Sequence, residues 1–518
     1  MKKQRVAMIG INPNKVHSSG VYYLKAYAEK SEKVREIYDI DVTIFDSLIP
    51  EQSNALELYT RRLLDNDYEI MCFSVYCWNV KLVHEMIYII KKVNPEVTIL
   101  LGGPEVSGNA DSYLSSDTSI DYVIEGEGEI AFQEFLLFYQ DLLKIENVHN
   151  LVYRKDGKMV RNEKKVLDDL DEIPSIYLNN EIDVNNIGDS FYSYETKRGC
   201  QYKCSYCFHH GGAHYIREFS LERVLAELEI ILNSNLKYVW IIDPCFNENE
   251  ERAIQILRFI RENNKNNIEF GFELRNETLS ENMIYEMSLL ESTRFIALGL
   301  QTLNQQALSA IHRDFNLQKF EENMSIIKKF YQESDKVHID LIFGLPNTTL
   351  GDYMEAVDYC VEWETTVFTQ PLKVLPGTEL IKEKDKYGLI CSQQAPYEVI
   401  ANNTFSYKDM CKAKKLNVGL YLYQLHPCLR KWMNYVKEIN KKRYSELFLE
   451  IADYLWQQGK DAFFTNYVSF RLGFVLENVK EIIYDLYHVE CEVDACLDEN
   501  EIVHIDWGSI ANHMEYME

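Results

Sequence analysis

The chain has 518 residues, 46% of them hydrophobic, and a formal charge of −27. Such a length exceeds one ordinary core and implies two or three domains. No stretch approaches the ~18 uninterrupted apolar residues of a membrane span, and so acidic a surface repels phosphate backbones, which argues against membrane and nucleic-acid partners.

The N-terminus, MKKQRVAMIGINPN, has an apolar stretch too short for a signal peptide and reads as a first strand. A cytoplasmic chain is expected, with its 12 cysteines reduced and outside any disulfide framework.

Residues 5–12 (RVAMIGIN) predict a strand, 21–39 a helix, 41–45 (DVTIF) a strand and 51–67 a helix. A third strand at 70–75 (IMCFSV) precedes a helix at 80–93. Residues 97–101 (VTILL) run into Gly102-Gly103-Pro104-Glu105. Residues 122–124 (YVI) run into Glu125-Gly126-Glu127-Gly128-Glu129 and a helix to about 143. Short apolar runs alternating with helices indicate an α/β, Rossmann-like, doubly wound parallel sheet. Residues 151–162 predict a hairpin turning at Asp156-Gly157, and the acidic, Pro-containing 168–174 a linker.

A second strand–helix series has candidate strands at 191–196, 238–242, 268–274, 295–301, 337–343 and 367–375, most of them spaced for crossover helices. Beyond about Cys391 the pattern is helical and rich in Tyr, Leu and Lys. The expected division is 1–145 (Rossmann-like), 146–188 (hairpin and linker), 189–390 (partial barrel) and 391–518 (mainly helical cap).

Three cysteines have spacing that demands an explanation: Cys200-x3-Cys204-x2-Cys207, just after a strand. Three thiolates this close can face one metal centre. Structural zinc usually takes four ligands, and a conventional four-iron cluster four cysteines. Three ligands leave one iron open to a substrate or cofactor, which favours a catalytic cluster. The alternatives are a zinc site completed by His209 or His210, or unconnected buried cysteines. Cys411, Cys428, Cys491 and Cys496 form no tight ligand pattern.

The triad, with Tyr206 before its last cysteine, resembles the signature of the radical S-adenosylmethionine (SAM) superfamily. That resemblance implies a [4Fe–4S] cluster on Cys200, Cys204 and Cys207, with SAM on the fourth iron, and a partial (β/α)6 barrel to about residue 380. It implies reductive cleavage of SAM to a 5′-deoxyadenosyl radical, and an electron donor such as flavodoxin or ferredoxin. Working residues of a parallel barrel stand at strand C-terminal ends. The resemblance places SAM contacts on Tyr206, Asp243, Glu273, Arg275 and Gln301, although Asp243-Pro244 stands where the family often has Gly-Gly-Glu. Lys373 and Thr378 face substrate or only stabilise a loop.

The N-terminal sheet resembles the cobalamin-binding domain that precedes many such barrels, through Ser74, Gly102-Gly103-Pro104 and Glu125-Gly126-x-Gly128 at successive strand ends. Glycine there lets backbone approach a large flat ligand. The alternative is a Rossmann-like domain that only docks substrate. His17 and Gly20 match part of the Asp-x-His-x-x-Gly cobalt-ligand pattern, but Lys15 replaces the aspartate that would orient the imidazole. His17 is a cobalt-ligand candidate or an ordinary loop residue.

In the C-terminal segment Tyr421, Tyr423, His426 and Trp432 line a pocket or the core. The resemblance implies a cobalamin-dependent enzyme methylating an unactivated carbon of a small molecule. The alternatives are cyclisation or rearrangement without methyl transfer, and a non-catalytic iron–sulfur or cobalamin-binding protein.

Overall fold

The computed structural model describes residues 2–12, 16–17, 19–46, 54–187, 191–208, 215–331, 334–460, 463, 467–491 and 502–506. Lys15, His209, His210 and Cys496, named above, lie outside the described residues.

The N-terminal region runs β1 (Gln4–Asn12), β2 (Val16–His17), α1 (Gly20–Ala28), α2 (Glu32–Ile37), β3 (Tyr38–Asp46), α3 (Ala55–Leu64), β4 (Ile70–Ser74), α4 (Val80–Val93), β5 (Thr98–Gly102), α5 (Ala110–Ser116), β6 (Tyr122–Ile124) and α6 (Glu129–Phe138). A hairpin follows, β7 (Leu151–Lys155) and β8 (Lys158–Arg161). The sheet order is β3-β1-β4-β5-β6-β7-β8, parallel from β3 to β6 and antiparallel through the hairpin. Val6, Ala7, Met8 and Ile9 on β1 are all buried, as a strand covered on both faces requires. Strand order reverses between β1 and β4, and the loops at their C-terminal ends open a crevice there.

Two expectations need correction. The helix predicted over 21–39 is two helices: the first ends at Ala28, and Ser31 caps the second, its Oγ accepting from Val34 N at 3.4 Å. The hairpin is not part of a separate linker: β7 pairs with β6 and extends the first sheet. Asp156 and Gly157 both have positive φ, 51° and 74°, the geometry of a type I′ turn.

The second region contains β9 (Phe191–Tyr194), β10 (Lys197–Arg198), β11 (Arg217–Glu218), α7 (Leu221–Leu232), β12 (Tyr238–Ile241), α8 (Glu250–Asn263), β13 (Glu269–Leu274), α9 (Glu281–Ser288) and β14 (Thr293–Gln301). It continues through α10 (Gln305–Ala310), α11 (Leu317–Phe330), β15 (Val337–Phe343), α12 (Leu350–Glu362) and β16 (Thr366–Pro371). The sheet order β16-β15-β14-β13-β12-β9-β2 is parallel throughout. The six expected barrel strands are present in sequential order. A seventh strand was not expected: β2, from the first loop of the N-terminal region, pairs with β9.

Alternate residues of each barrel strand face the helices; Phe270, Ile296, Ile339 and Val367 share one core with Leu228, Leu257 and Val357. The opposite, inner face carries rings. Phe295 stacks on His338 at 5.2 Å, and His338 meets Phe368 at 4.8 Å. These residues lie toward the strand N-termini, so the rings close that end.

The last region contains β17 (Ile390–Cys391), β18 (Val399–Ala401), α13 (Tyr407–Leu425), α14 (Pro427–Asn440), α15 (Tyr444–Gln457), β19 (Tyr467–Arg471), α16 (Leu472–Tyr487) and β20 (Ile502–Asp506). The C-terminal region touches the barrel mouth, where Asn402 Nδ2 donates to Gly344 O after β15 at 2.8 Å, and it also lies along the barrel's open side. Gln424 of α13 binds both backbone groups of Val367 on edge strand β16, accepting at 2.6 Å and donating at 3.2 Å. An edge covered in this way no longer offers unpaired backbone to another strand. Tyr423 and Trp432 are buried in the shared core, and His426 Nδ1 caps α14 by accepting from Cys428 N at 3.1 Å. Those three are structural.

Candidate cofactor and substrate site

Cys200, Cys204 and Cys207 follow β10 as half-buried cysteines outside any disulfide. Gly199 has φ +89°, and a Cβ there would collide with the Tyr215 carbonyl, so only glycine lets the strand enter the loop so close to its return. The loop is pinned at its middle: Ser205 N donates to Ile311 O at 2.9 Å and Leu380 N to Ser205 O at 2.8 Å. Arg313 Nη1 stands 4.0 Å from Cys204 Sγ. The Tyr206 ring packs beside Leu308, Leu345 and Leu372.

Among the described residues no group of three or more His, Cys, Asp or Glu side chains is gathered closely enough to hold a metal ion. The sulfurs share a loop without converging on one point. Burial pushes the Cys200 thiol above its ordinary value, and neutral thiols have nothing to draw them together until a cation binds. The donor set itself, three accessible thiols on one short loop, fits an iron–sulfur cluster with one open iron.

The residues expected to touch SAM divide into two kinds. Asp243, at the end of β12, is fully engaged by protein. Its oxygens accept from Thr196 N at 2.8 Å, Thr196 Oγ1 at 2.5 Å and Lys197 N at 3.3 Å. It ties the strand that leads into the cysteine loop to the neighbouring strand. Arg275 is also occupied: it lies 3.8 Å over the Tyr202 ring, donates to Glu277 Oε1 at 2.7 Å and binds Asp314 O. These two shape the loop.

Glu273 and Gln301 differ. Glu273, half-buried on the inner face of β13, has no hydrogen bond or ion pair among the described residues. Burial, with the charge of Asp243, pushes its carboxyl up to about 7. Gln301 ends β14 at φ +71°, left-handed for a residue with a Cβ. Such strain persists where surrounding structure enforces it, commonly at ligand sites. Asp340 on β15, not singled out from the sequence beyond its segment, joins them. Burial and the charge of Glu273, against the pull of Arg313, push it up to about 7. The alternation of β15 was its only signal, and alternation cannot tell which inward residue faces open space.

In the first sheet the loops after β4, β5 and β6 meet. Val75 N donates to Gly102 O at 2.7 Å and Glu105 N to Val75 O at 3.1 Å. Gly103 has φ +103°, and a Cβ there would lie 2.6 Å from Val75 O. Ser107, absent from the sequence reading, links the next pair. Its Oγ donates to Gly103 O at 2.9 Å and accepts from Gly126 N at 2.8 Å. A Cβ placed at Gly102 or Gly126 would meet nothing within 4 Å. The paired loops therefore border open space that backbone can line closely, as a flat corrin requires.

Among the other residues assigned to that cradle, Glu125 and Gly128 are engaged by the protein. Glu125 is buried and held by Arg161 at 2.9 and 3.0 Å. Gly128 is the N-cap of α6, and a Cβ there would lie 2.9 Å from Leu24 Cδ2. Ser74 carries its carbonyl to Asn79 Nδ2 at 3.1 Å, and Pro104 is exposed. His17 lies on β2, packed by Tyr22 and Tyr192 at 6.5 and 5.8 Å between ring centres. Its Nδ1 is buried without a partner, and burial lowers its pKa to about 4, so the imidazole is neutral. Thr378 closes its own loop, Oγ1 donating to Leu375 O at 2.7 Å.

No helix among the described residues is long and apolar enough to cross a membrane. Residues 7–136 match the B12 binding domain, 194–360 the radical SAM superfamily, and 385–490 a protein family of unknown function, DUF4080. The cobalamin-dependent radical SAM methyltransferase TokK of Streptomyces tokunonensis is 24% identical over 414 residues, 74% of this chain and 58% of TokK. An uncharacterized methyltransferase, PH0819 of Pyrococcus horikoshii, is 28% identical over 56% of this chain and 64% of its own length. The chain thus spans somewhat under two thirds of the length of these curated relatives. Among solved structures, the cobalamin-dependent SAM radical enzyme OxsB matches with TM-score 0.65 at 15% identity, over 94% of this chain and 80% of OxsB. The methyltransferase TsrM of Kitasatospora setae matches with TM-score 0.59 at 16% identity, over 76% of each chain. The sheet with the glycine cradle and the sheet with the three-cysteine loop thus coincide with a B12 binding domain and a radical SAM domain, in that order, followed by a DUF4080 segment.

Proposed function

We propose that this chain is a cobalamin-dependent radical SAM enzyme that methylates an unactivated carbon of a small molecule. The observation that carries the reading is the pairing, in one chain, of the open cradle at Gly102 and Gly126 with the loop of Cys200, Cys204 and Cys207. When bound, the cluster with SAM supplies a hydrogen-abstracting radical and cobalamin supplies a methyl group.

The protein's part is placement. The three thiols would hold the cluster by its three closed irons. Asp243 and Arg275 keep their loop in shape through Thr196 and Tyr202. Glu273 and Gln301 would contact SAM, their polar ends being uncommitted to protein. The loops joined by Ser107 would lie under the corrin. The aromatic floor of Phe295, His338 and Phe368 keeps water from entering behind the substrate. Holding the reacting carbon in line between the two cofactors lowers the barrier by fixing geometry before the step. An electron donor of the flavodoxin or ferredoxin class is part of this reading.

Anaerobic reconstitution with iron, sulfide and cobalamin, followed by visible spectra, tests the cofactor set. Transfer of labelled methyl from SAM to a product tests the reaction. Retention of cobalamin with label in the product is expected. A protein that cleaves SAM but retains no cobalamin would leave a plain radical SAM enzyme.

A further inference from the structure

Lys373 stands on the segment leaving β16 at the C-terminal mouth of the barrel. Its backbone forms an isolated antiparallel bridge with Glu398, and Val374 N donates to Tyr397 O at 2.9 Å. Its side chain is half-buried and feels Cys77, on the loop after β4 of the first sheet, and Glu398 of the C-terminal region, while Leu375, two residues on, packs with Cys77 and Tyr397 against the first sheet's core. All three regions of the chain meet at this ammonium.

The ammonium has no hydrogen bond or ion pair among the described residues. The carboxylate that acts on it, Glu398, is already paired with Lys414 at 3.0 Å. The Cys77 thiol supplies no counter-charge, because burial pushes it above its ordinary value. Two ammonium groups and one carboxylate leave one positive charge over. Burial lowers the Lys373 pKa, as it does for a cation without a full partner. A half-buried unpaired charge is costly, and an anionic ligand group removes the cost.

Three positions are open to such an anion's owner. The polar groups left for SAM, Glu273 and Gln301, are on β13 and β14, with β15 between them and β16. The glycines left for the corrin follow β5 and β6. Lys373 instead comes from the barrel and points at the other sheet, where the substrate would lie. We propose that Lys373 anchors a carboxylate of the substrate, so that the molecule acted on is a carboxylic acid held between the barrel mouth and the B12 binding domain. This assignment rests on the functional reading above.

The test uses the full chain reconstituted with iron, sulfide, cobalamin and SAM. Competitive acetylation with acetic anhydride, read by peptide mass spectrometry, reports the free amine of Lys373. Propionate is the probe, with isosteric propionamide and matched chloride as controls. Propionate should raise the pKa of Lys373 by about half a unit or more and slow its acetylation about threefold or more, with no effect of propionamide. Equal protection by both, or by neither, overturns the assignment. Cobalamin affinity of Lys373→Gln provides the second measurement. A change within about twofold supports a substrate anchor, whereas a loss of about tenfold, the worth of one charged hydrogen bond, assigns the ammonium to the cofactor's own phosphate and overturns it. Protection by propionate in a wild-type chain that retains no cobalamin would uphold the carboxylate site while the functional reading failed.

Discussion

Tyr397 of the C-terminal region donates its hydroxyl to Glu105 of the first sheet, 292 positions away in the chain. Tyr113 donates to the same oxygen at 2.6 Å. Glu105 closes the glycine loop after β5, so the C-terminal extension holds the cradle in place. Removing the donor with Tyr397→Phe leaves a buried carboxylate one partner short. The expected cost is about 1–3 kcal/mol of stability, with weaker cobalamin retention. Thermal unfolding and a cobalamin titration check both. An unchanged cobalamin affinity would show that the lock is not needed for the cradle.

Gly103 carries the sharpest backbone constraint of that cradle. Gly103→Ala forces a Cβ to 2.6 Å from Val75 O at φ +103°. A loss of about 2 kcal/mol or more and failure to retain cobalamin are expected. Gly157→Ala also has positive φ, 74°, but stands in the hairpin turn, so it should cost stability without affecting cobalamin.

Cys204→Ala removes one of three thiols on the pinned loop. Iron content after reconstitution should fall, and 5′-deoxyadenosine formation should drop to background. Cys428→Ala, in the C-terminal core, should leave both unchanged. Cleavage of SAM by the Cys204 variant at the wild-type rate would remove the triad from the mechanism.

Gln301 sits at φ +71°, where glycine is at ease. Gln301→Gly should therefore gain about 1 kcal/mol of stability, because the left-handed strain is relieved. It should also raise the KM for SAM, because the amide is lost. A variant that is both more stable and fully active would make Gln301 a purely structural strand end.

Glu273 links pH to stability. Its folded pKa of about 7 lies above the ordinary carboxyl value of 4.5, so the folded state holds the proton more tightly than the unfolded chain. The stability this contributes is fully present below pH 4.5 and is lost as pH rises through about 7. Glu273→Gln, which stays neutral, should be more stable than wild type at pH 8 by about 1–2 kcal/mol and near equal at pH 5. Denaturant unfolding of the apoprotein at both pH values measures it. A gap that grows toward acid pH would reverse the sign and refute the burial argument.

The features legible in the sequence are those written within a few residues. Cys200, Cys204 and Cys207 share one eight-residue stretch, so the resemblance that implies a cluster there is legible without the fold. Gly102, Gly103 and Gly126 are legible because they stand at the ends of two strands, the first two at β5 and the third two residues after β6. The two sheets follow from local periodicity, since alternation and crossover lengths are properties of short segments.

Partners were not legible. Asp243 and Glu125 stand at strand ends as ligand contacts would, yet Thr196 and Arg161, 47 and 36 positions away, occupy them. Strand β2 reads as loop because two residues have no period, and only the proximity of β9 makes it a strand. Sequence by itself brought out the short motifs whose resemblance implies the cofactors, because such motifs are local. Tertiary structure alone decided which polar groups remain uncommitted, because a side chain's charge is satisfied by whatever the fold brings beside it. Glu273, Gln301 and Lys373 are known as open positions only once every other candidate has found its partner.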